Sequence, residues 1–577
     1  MTPGGADRYH LVVFPLLFVA LLIVVYTVSR TGFQPWGDGL EFAAVSSHLG
    51  VAHPPGYPLY TLLGWLLQWP SGDVYLGLLL VNAASATAIG WCTYLIVRRF
   101  LRRAGWGTRA SSYGALAMGL VLALSAPVVD ALFVAEVYLL HAALLLTAVW
   151  MLLEAGFRWG RARTMLLLGS GAAMGLALSH HLPAAALLPL FVLVLWYAPG
   201  HRAPRGPVVG AVALAILLPA VLYGTMPLRV GEHGIYWGGV ETSGGLIEHV
   251  RGGEYGQYRL LQERPGVPFR VDTWIPFAAA RTADMIRHFG GLVPGTGPTA
   301  LLAGLASLAL LGFGTLRARR VGVAAHFLVG LYIAIGLKAG FVLLYNIVDI
   351  EDYYLPVFVL AGPLLGLGVL EAAGEVDRRL LRRHRGKLLA AVPAFLVLAC
   401  LLRLPLQMDE HRLLREMSAG WKERLLAELP EGAALVTAGD ADLYTMWYLQ
   451  FAREEHRDRF VFGANFIRFP WFRTSLPPGD PRREAVLFHP GEPGTMDEFL
   501  GQVSSSVLEP LLEHGPVYTT LGSPPEIRWL SRRFEVREVA WLLSERDFQV
   551  IEALRLVNVP PPVLHEIRYL EDGGATP

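Results

Sequence analysis

The sequence predicts a polytopic α-helical membrane protein that ends in a smaller soluble α/β domain, and three observations carry that expectation. Apolar residues make up 54% of the 577-residue chain and charged residues only 16%, a balance foreign to a soluble domain of this length. Apolar runs long enough for a bilayer core of roughly 30 Å recur as far as residue 402. Arginine is gathered in short clusters that fall in alternate loops between those runs, as the positive-inside rule requires of one consistent topology. The net charge of +1 conceals this asymmetry, and nothing in it implies nucleic acid. The two cysteines, Cys92 and Cys400, both sit in apolar runs, so no disulfide framework is available to the polar parts.

Taken in order, the first run covers residues 10–29. It is longer than a signal-peptide core and no small-residue cleavage site precedes Arg30, so an uncleaved first helix is expected. Further spans are expected at 74–97, 113–128, 137–153, 165–178, 183–197, 208–225, 300–316, 323–346, 355–370 and 388–402, about eleven in all. The segment 57–70 is apolar but short and aromatic, and counting it as a crossing would put arginine loops on both sides; it reads as an interfacial or re-entrant helix. The arginines within 98–103, 158–163, 202–205, 317–320 and 378–385 then share the cytoplasm with the N-terminus. The loops 30–73 and 226–298 face outward, as does everything after Arg403. The expected domains are therefore a transmembrane part, 1–402, and an extracytoplasmic α/β part, 403–577. In the latter, strands are expected at 433–437, 460–462, 517–520 and 536–542, with amphipathic helices at 414–429 and 443–452. Asp440 and Asp442 follow the first of these strands, where turn capping accounts for them more readily than a site does.

The chemistry is densest in the first outward loop, where Asp38, Glu41, His48 and His53 lie close to a membrane span among glycines and prolines that shape the backbone. Asp38 and Glu41 are three residues apart. On a helix they would share a face, one to accept a proton and the other to orient a partner; the same spacing also suits a capping box. His53 precedes Pro54-Pro55-Gly56-Tyr57-Pro58, which would present it rigidly or simply form an elbow. Other outward turns carry Glu136 with Tyr138 and His141, and the pair His180-His181, each either lining a cavity or a solvated helix end.

Two cations depart from the arginine pattern. Arg229 stands at an outward helix end, and Lys338 lies inside the ninth expected span, where an ammonium needs a carboxylate, an anionic ligand such as a phosphate, or a path to the interface. Asp349, Glu351 and Asp352 follow that span, as oxygen ligands for a metal or as a solvated acidic loop.

The run Asp38, Glu41-Phe42 and Gly50-Val51-Ala52-His53-Pro54-Pro55-Gly56-Tyr57-Pro58-Leu59-Tyr60 resembles the signature of a membrane family that includes the animal transmembrane protein O-mannosyltransferase. The likeness continues through Ala135-Glu136-Val137-Tyr138, Pro227-Leu228-Arg229, Trp237-Gly238 with Thr242, His249-Val250 with Tyr255, and Asn346, Asp349, Tyr354 and Pro356. That family is similar to glycosyltransferases of the GT-C class, which implies a GT-C-like membrane fold. It further implies a polyprenyl-phosphate sugar as donor and transfer of a mannose-like sugar to a hydroxyl of a protein or glycan. By the same resemblance Asp38 is the catalytic base with Glu41 beside it, and Arg229 with Lys338 holds the carrier phosphate. His53, Tyr57, Glu136, Tyr138, Trp237, Asp349 and Tyr354 are carried over as substrate-binding positions, and His180, His181 and Asp352, outside the matched motifs, are expected to join them from the same outward side. The expected setting is a bacterial inner membrane, with lipid and a lipid-linked donor as partners; metal dependence is left open. Two other classes compete: a transporter or flippase of lipid-linked material, and a non-catalytic envelope assembly protein for which Asp38 is dispensable. The animal relative looks to carry helical repeats after its membrane part where this chain has an α/β tail, so acceptor choice does not carry over.

Overall fold

The computed structural model describes residues 9–33, 37–196, 205–253, 271–289, 298–345, 350–380, 387–489, 494–541 and 563–570. Its helices, in chain order, begin with α1 (His10–Ser29), α2 (Gly39–Ser47), α3 (Pro58–Ser71), α4 (Val74–Arg103), α5 (Thr108–Ala123) and α6 (Ala126–Leu132). They continue with α7 (Tyr138–Ala155), α8 (Gly160–His180), α9 (Leu188–Trp196), α10 (Arg205–Gly224), α11 (Ser243–Arg251) and α12 (Val271–Phe289). Then come α13 (Pro298–Arg320), α14 (Ala325–Leu344), α15 (Leu355–Leu380), α16 (Lys387–Glu428) and α17 (Asp440–Trp447).

Nine helices among the described residues are long and apolar enough to cross a membrane, ten when α5 and α6, bent by 52° at their junction, are taken as one broken span. The remaining expected crossing is the shorter apolar segment Leu182–Trp196. This is an integral membrane protein. The segment read as interfacial forms α3, a helix of 14 residues that starts on Pro58, where the missing N–H would be unpaired anyway, and stops at Gly72 in a left-handed conformation.

The chain divides into two compact units. One comprises residues 1–26, 79–224 and 254–409, and is built of the long helices. Within it α8 packs on α10 through Gly171 and Gly175: a methyl on either would lie 2.2 Å from Ala211 O or 2.5 Å from Leu214 O. Small residues one turn apart let two backbones meet where lipid supplies no hydrophobic drive. Among the described residues, arginines of three clusters gather at one end of these helices. Arg99 and Arg158 both bond Glu154, Arg103 donates to Val321 O at 2.9 Å, and Arg317 pairs with the buried Glu371.

The other unit comprises residues 27–78, 225–253 and 410–577. Its sheet has five strands: β1 (Ala434–Thr437), β2 (Phe460–Gly463), β3 (Val517–Thr519), β4 (Phe534–Trp541) and β5 (Val563–Tyr569), in the order β2-β1-β3-β5-β4. The first three run parallel, Ala434 facing Phe460 on one side and Val517 on the other, while β5 is antiparallel to both β3 and β4. The first four strands fall where alternation places them; β5 lies beyond the stretches read from sequence. Residues 414–429, expected as a separate amphipathic helix, are nearly all the continuation of α16, one helix of 42 residues that also holds the last apolar run. α17 follows β1 and packs on α2.

Candidate active site

α2 and the turn after it bring three titratable side chains together. Glu41, one turn into α2, is fully buried, and a carboxylate there needs partners. It finds both in His53: Oε1 accepts the His53 backbone N–H at 2.8 Å and Oε2 bonds ring Nδ1. The other ring nitrogen, Nε2, lies 3.5 Å from Asp38 Oδ2. The result is a carboxylate–imidazole–carboxylate chain running from a sealed end at Glu41 to an open end at Asp38, whose side chain is 39% exposed. Asp38 occupies the N-cap position of α2 but makes no side-chain cap bond, so the pair is not a capping box.

Burial opposes charge on His53, yet Glu41 and then Asp38 outweigh it and raise its pKa to about 9, so the ring is an imidazolium at neutral pH. Enclosure by protein raises Asp38 above the usual carboxylate range, with His53 opposing and Glu41 adding.

The turn that carries His53 is held from behind. Val51 pairs with Tyr236 in a short parallel bridge, its N–H donating to Ile235 O at 3.0 Å. His48 Nε2 accepts the Ile235 N–H at 3.0 Å; burial lowers this ring to about 4, which leaves it neutral and able to accept. His249 on α11 donates Nε2–H to Ala52 O at 3.1 Å, and burial, with His53 adding, lowers it to about 3. Gly56 (φ 94°) and Gly238 (φ 79°) permit the close approach: a methyl on Gly56 would strike Met226 and one on Gly238 would lie 2.2 Å from His249 Nδ1. Trp237 is thereby set with its ring 6.0 Å from that of His53, and the Tyr57 ring is 5.1 Å from His53 on another side.

Arg229 belongs to the same unit. Its guanidinium donates to Thr61 Oγ1 (2.9 Å), Thr225 Oγ1 (3.0 Å) and Pro58 O (3.3 Å), all neutral. Its Nε is buried without a hydrogen bond, and no carboxylate pairs with it among the described residues.

The remaining sequence-predicted residues fall in the first unit. Lys338, 6% exposed, turns inward and places Nζ 2.7 Å from His141 Nε2 and 3.5 Å from Pro183 O, so it does not snorkel. The His141 ring is 4.8 Å from His181, which contacts Tyr138 and Tyr353, while His180 Nε2 donates to Val137 O at 2.7 Å. Glu136 is buried in the turn before α7, Asp352 is exposed, and Tyr354 is buried against Val342 and Ile350 with its ring on His288. Asp349 lies outside the described residues. The predicted set thus separates into Asp38, Glu41, His53, Tyr57, Arg229 and Trp237 in one unit, and Glu136, Tyr138, His180, His181, Lys338, Asp352 and Tyr354 in the other.

Asp38, Glu41 and His53 also offer three ligand atoms within 4.8 Å of one another, the arrangement among the described residues that suits a divalent cation. A cation bound there would compete with the proton that His53 shares with its carboxylates.

Comparison with known proteins follows this geometry. Residues 38–203, which begin at Asp38 and include Glu41 and His53, match the family model described as the Protein O-mannosyl-transferase TMEM260 N-terminal domain. A mouse Protein O-mannosyl-transferase TMEM260 is 38% identical over 98 residues, 16% of this chain and 13% of the mouse protein. A Dictyostelium discoideum relative of the same name is 42% identical over 53 residues, 9% of this chain and 6% of its own. The aligned stretches therefore span a small fraction of these TMEM260 relatives' lengths. The fold match is far wider. A crystal structure of ArnT from Cupriavidus metallidurans bound to undecaprenyl phosphate superposes with a TM-score of 0.56 at 13% identity, covering 96% of this chain and 97% of that one. The apo form gives 0.53 at 12% identity, covering 92% and 96%. The fold of this chain is thus like that of ArnT, a GT-C-like membrane fold.

Asp440, which the sequence gives more readily to turn capping than to a site, lies near this chain of bonds. Although Asp440 reaches solvent, desolvation by the protein around it and then Asp38 raise its carboxyl to about 6, with His53 and Arg468 opposing. It is not the cap of α17, which is Gly439, and it stands within electrostatic reach of Asp38 and His53. The signal was a carboxylate directly after a strand of a parallel sheet, a place where sites recur. Asp442, read beside it, bonds Thr520 instead.

Proposed function

We propose that this chain is a membrane glycosyltransferase that moves a mannose-like sugar from a polyprenyl-phosphate carrier to a hydroxyl acceptor. The observation that carries this reading is the Glu41–His53–Asp38 chain: a buried carboxylate fixes an imidazolium, which faces a second, part-exposed carboxylate. In the reaction, Asp38 accepts the proton of the acceptor hydroxyl as its oxygen forms a bond to the anomeric carbon. The bond from that carbon to phosphate breaks, and polyprenyl phosphate leaves. His53, held by Glu41, keeps Asp38 in place and balances its charge.

The leaving phosphate needs a cation. Arg229 has neutral partners and an unbonded Nε, which suits an oxyanion. Lys338 with His141 gives the helical unit a buried ammonium without a bonded carboxylate among the described residues, which also suits an anionic group, and we assign it and the neighbouring His180, His181 and Tyr138 to donor binding. The carrier found with ArnT, undecaprenyl phosphate, supports a lipid-linked donor for this chain. The positive-inside rule supports a cytoplasmic position for the arginine-rich end, in a membrane we take to be a bacterial inner one.

The test is sugar release from undecaprenyl-phosphate sugars by purified protein. Wild type is expected to turn over, and Asp38→Asn to lose turnover at unchanged protein level. An Asp38→Asn variant that turns over normally overturns the assignment.

A further inference from the structure

The three parallel strands β2, β1 and β3 end on one side of the sheet, with β1 between the other two. The crevice beyond the carboxyl ends of such strands, where chain connections leave in opposite directions, is a recurrent ligand position. The polar groups here are mostly tied to one another. Thr520, just after β3, receives the Ala438 N–H at 2.9 Å and bonds the Asp442 carboxylate, and Asn465, just after β2, donates to Ala438 O at 3.1 Å.

Asp440 is the exception. It is exposed, and among the described residues no hydrogen bond or ion pair holds its carboxylate. It heads α17, the helix that packs on α2, and its charge is felt by Asp38 and His53. An aromatic path links the two places. The Trp237 ring is 6.0 Å from His53, 6.5 Å from Trp447 on α17 and 4.8 Å from the half-buried Trp471. Trp471 stacks on Phe469, which carries the Arg468 guanidinium 4.7 Å above its ring.

We infer that the C-terminal α/β domain completes the acceptor side of the site, with Asp440 as the positioning carboxylate for a neutral, hydroxyl-bearing acceptor. This rests on the glycosyltransferase reading above. Asp440 accepts a hydrogen bond from the acceptor and holds it against Asp38, while the part-exposed edges of Trp471 and Phe469 take its apolar surface. Two carboxylates at one mouth repel an anionic acceptor, which is why the class is neutral.

The experiment uses full-length protein, an undecaprenyl-phosphate mannose donor, and two acceptor probes in separate arms: a threonine-containing peptide and methyl α-mannoside. The arm that wild type uses identifies the source of the hydroxyl. For that probe, Asp440→Asn is expected to raise acceptor KM about tenfold while donor KM stays within about twofold, and Asp440→Glu to recover part of the loss. Trp471→Ala is expected to raise the same KM, and melting temperature is measured for every variant to separate misfolding from lost binding. Unchanged acceptor KM in Asp440→Asn, or a fall in kcat alone, overturns the assignment. A wild type that releases no sugar from any donor overturns the glycosyltransferase reading and this inference with it, an outcome visible before any variant is compared.

Discussion

Both oxygens of Glu41 are used on His53, one on its backbone N–H at 2.8 Å and the other on its ring. The glutamate therefore fixes the position of the chain and the protonation of the side chain together. In Glu41→Gln the amide oxygen can keep the backbone bond, but its NH2 then meets Nδ1, which must lose its proton to accept. The imidazolium disappears. With Glu41 fully buried, roughly 1–3 kcal/mol of stability should go with the mismatched bonds. Turnover should fall by about 10²-fold, as when a positioned proton-transfer partner is lost. Thermal melts and sugar-release rates on the same preparation check both.

The same chain sets a pH profile. Asp38 must be unprotonated to act as base, and its pKa is raised, so the acid limb of kcat/KM should lie above the usual carboxylate range. The alkaline limb should lie near 9, where His53 loses its proton, and Glu41→Gln should move it down. These limbs belong to the coupled chain as a whole. Stability should follow one direction. His53 is raised from 6.5 to about 9, so its contribution is complete below 6.5 and lost as pH climbs through 9. Asp440 keeps its proton to about 6 in the fold but only to about 3.8 in the unfolded chain, which also lowers stability as pH rises across that interval. Denaturant midpoints between pH 4 and pH 10 check the sign.

Arg229 makes three bonds to neutral acceptors through its two terminal nitrogens. Arg229→Lys keeps a charge but loses the planar fork, so donor KM should rise about tenfold with acceptor KM unchanged. The measurement is a donor titration at fixed acceptor. An equal rise for both substrates would remove Arg229 from the carrier phosphate.

Much of this was legible in the sequence because the signals are local. The apolar runs and the arginine clusters fixed the helices, and the spacing of Asp38, Glu41 and His53 marked the loop that the structure folds into one chain of bonds. What the sequence left open at Asp38 and Glu41, capping box or paired carboxylates, turned on where two side chains point, and the 12-residue return of His53 onto Glu41 decides it. Asp440 was out of reach for a different reason. Its approach to Asp38 joins residues about four hundred apart through the packing of α17 on α2, and no period or motif encodes that pairing. The strand β5 was missed because its partners are far upstream in sequence: it pairs antiparallel with both β3 and β4.

Lys338 supplies the last test because its environment sets stability against function. Its Nζ lies 2.7 Å from His141, and its side chain is buried within α14 where no carboxylate pairs with it among the described residues. A buried ammonium beside an imidazole is unfavourable on its own, so a protein that needed only its fold would be better served by an apolar side chain of similar length. Lys338→Met should therefore leave the melting temperature unchanged or raise it. If the lysine is kept for an anionic donor group, the same variant should lose donor affinity by tenfold or more, and its residual turnover should recover at high donor concentration. A variant that both melts lower and binds donor normally would make Lys338 a structural residue, bonded to His141 and Pro183 for the sake of the helix packing alone.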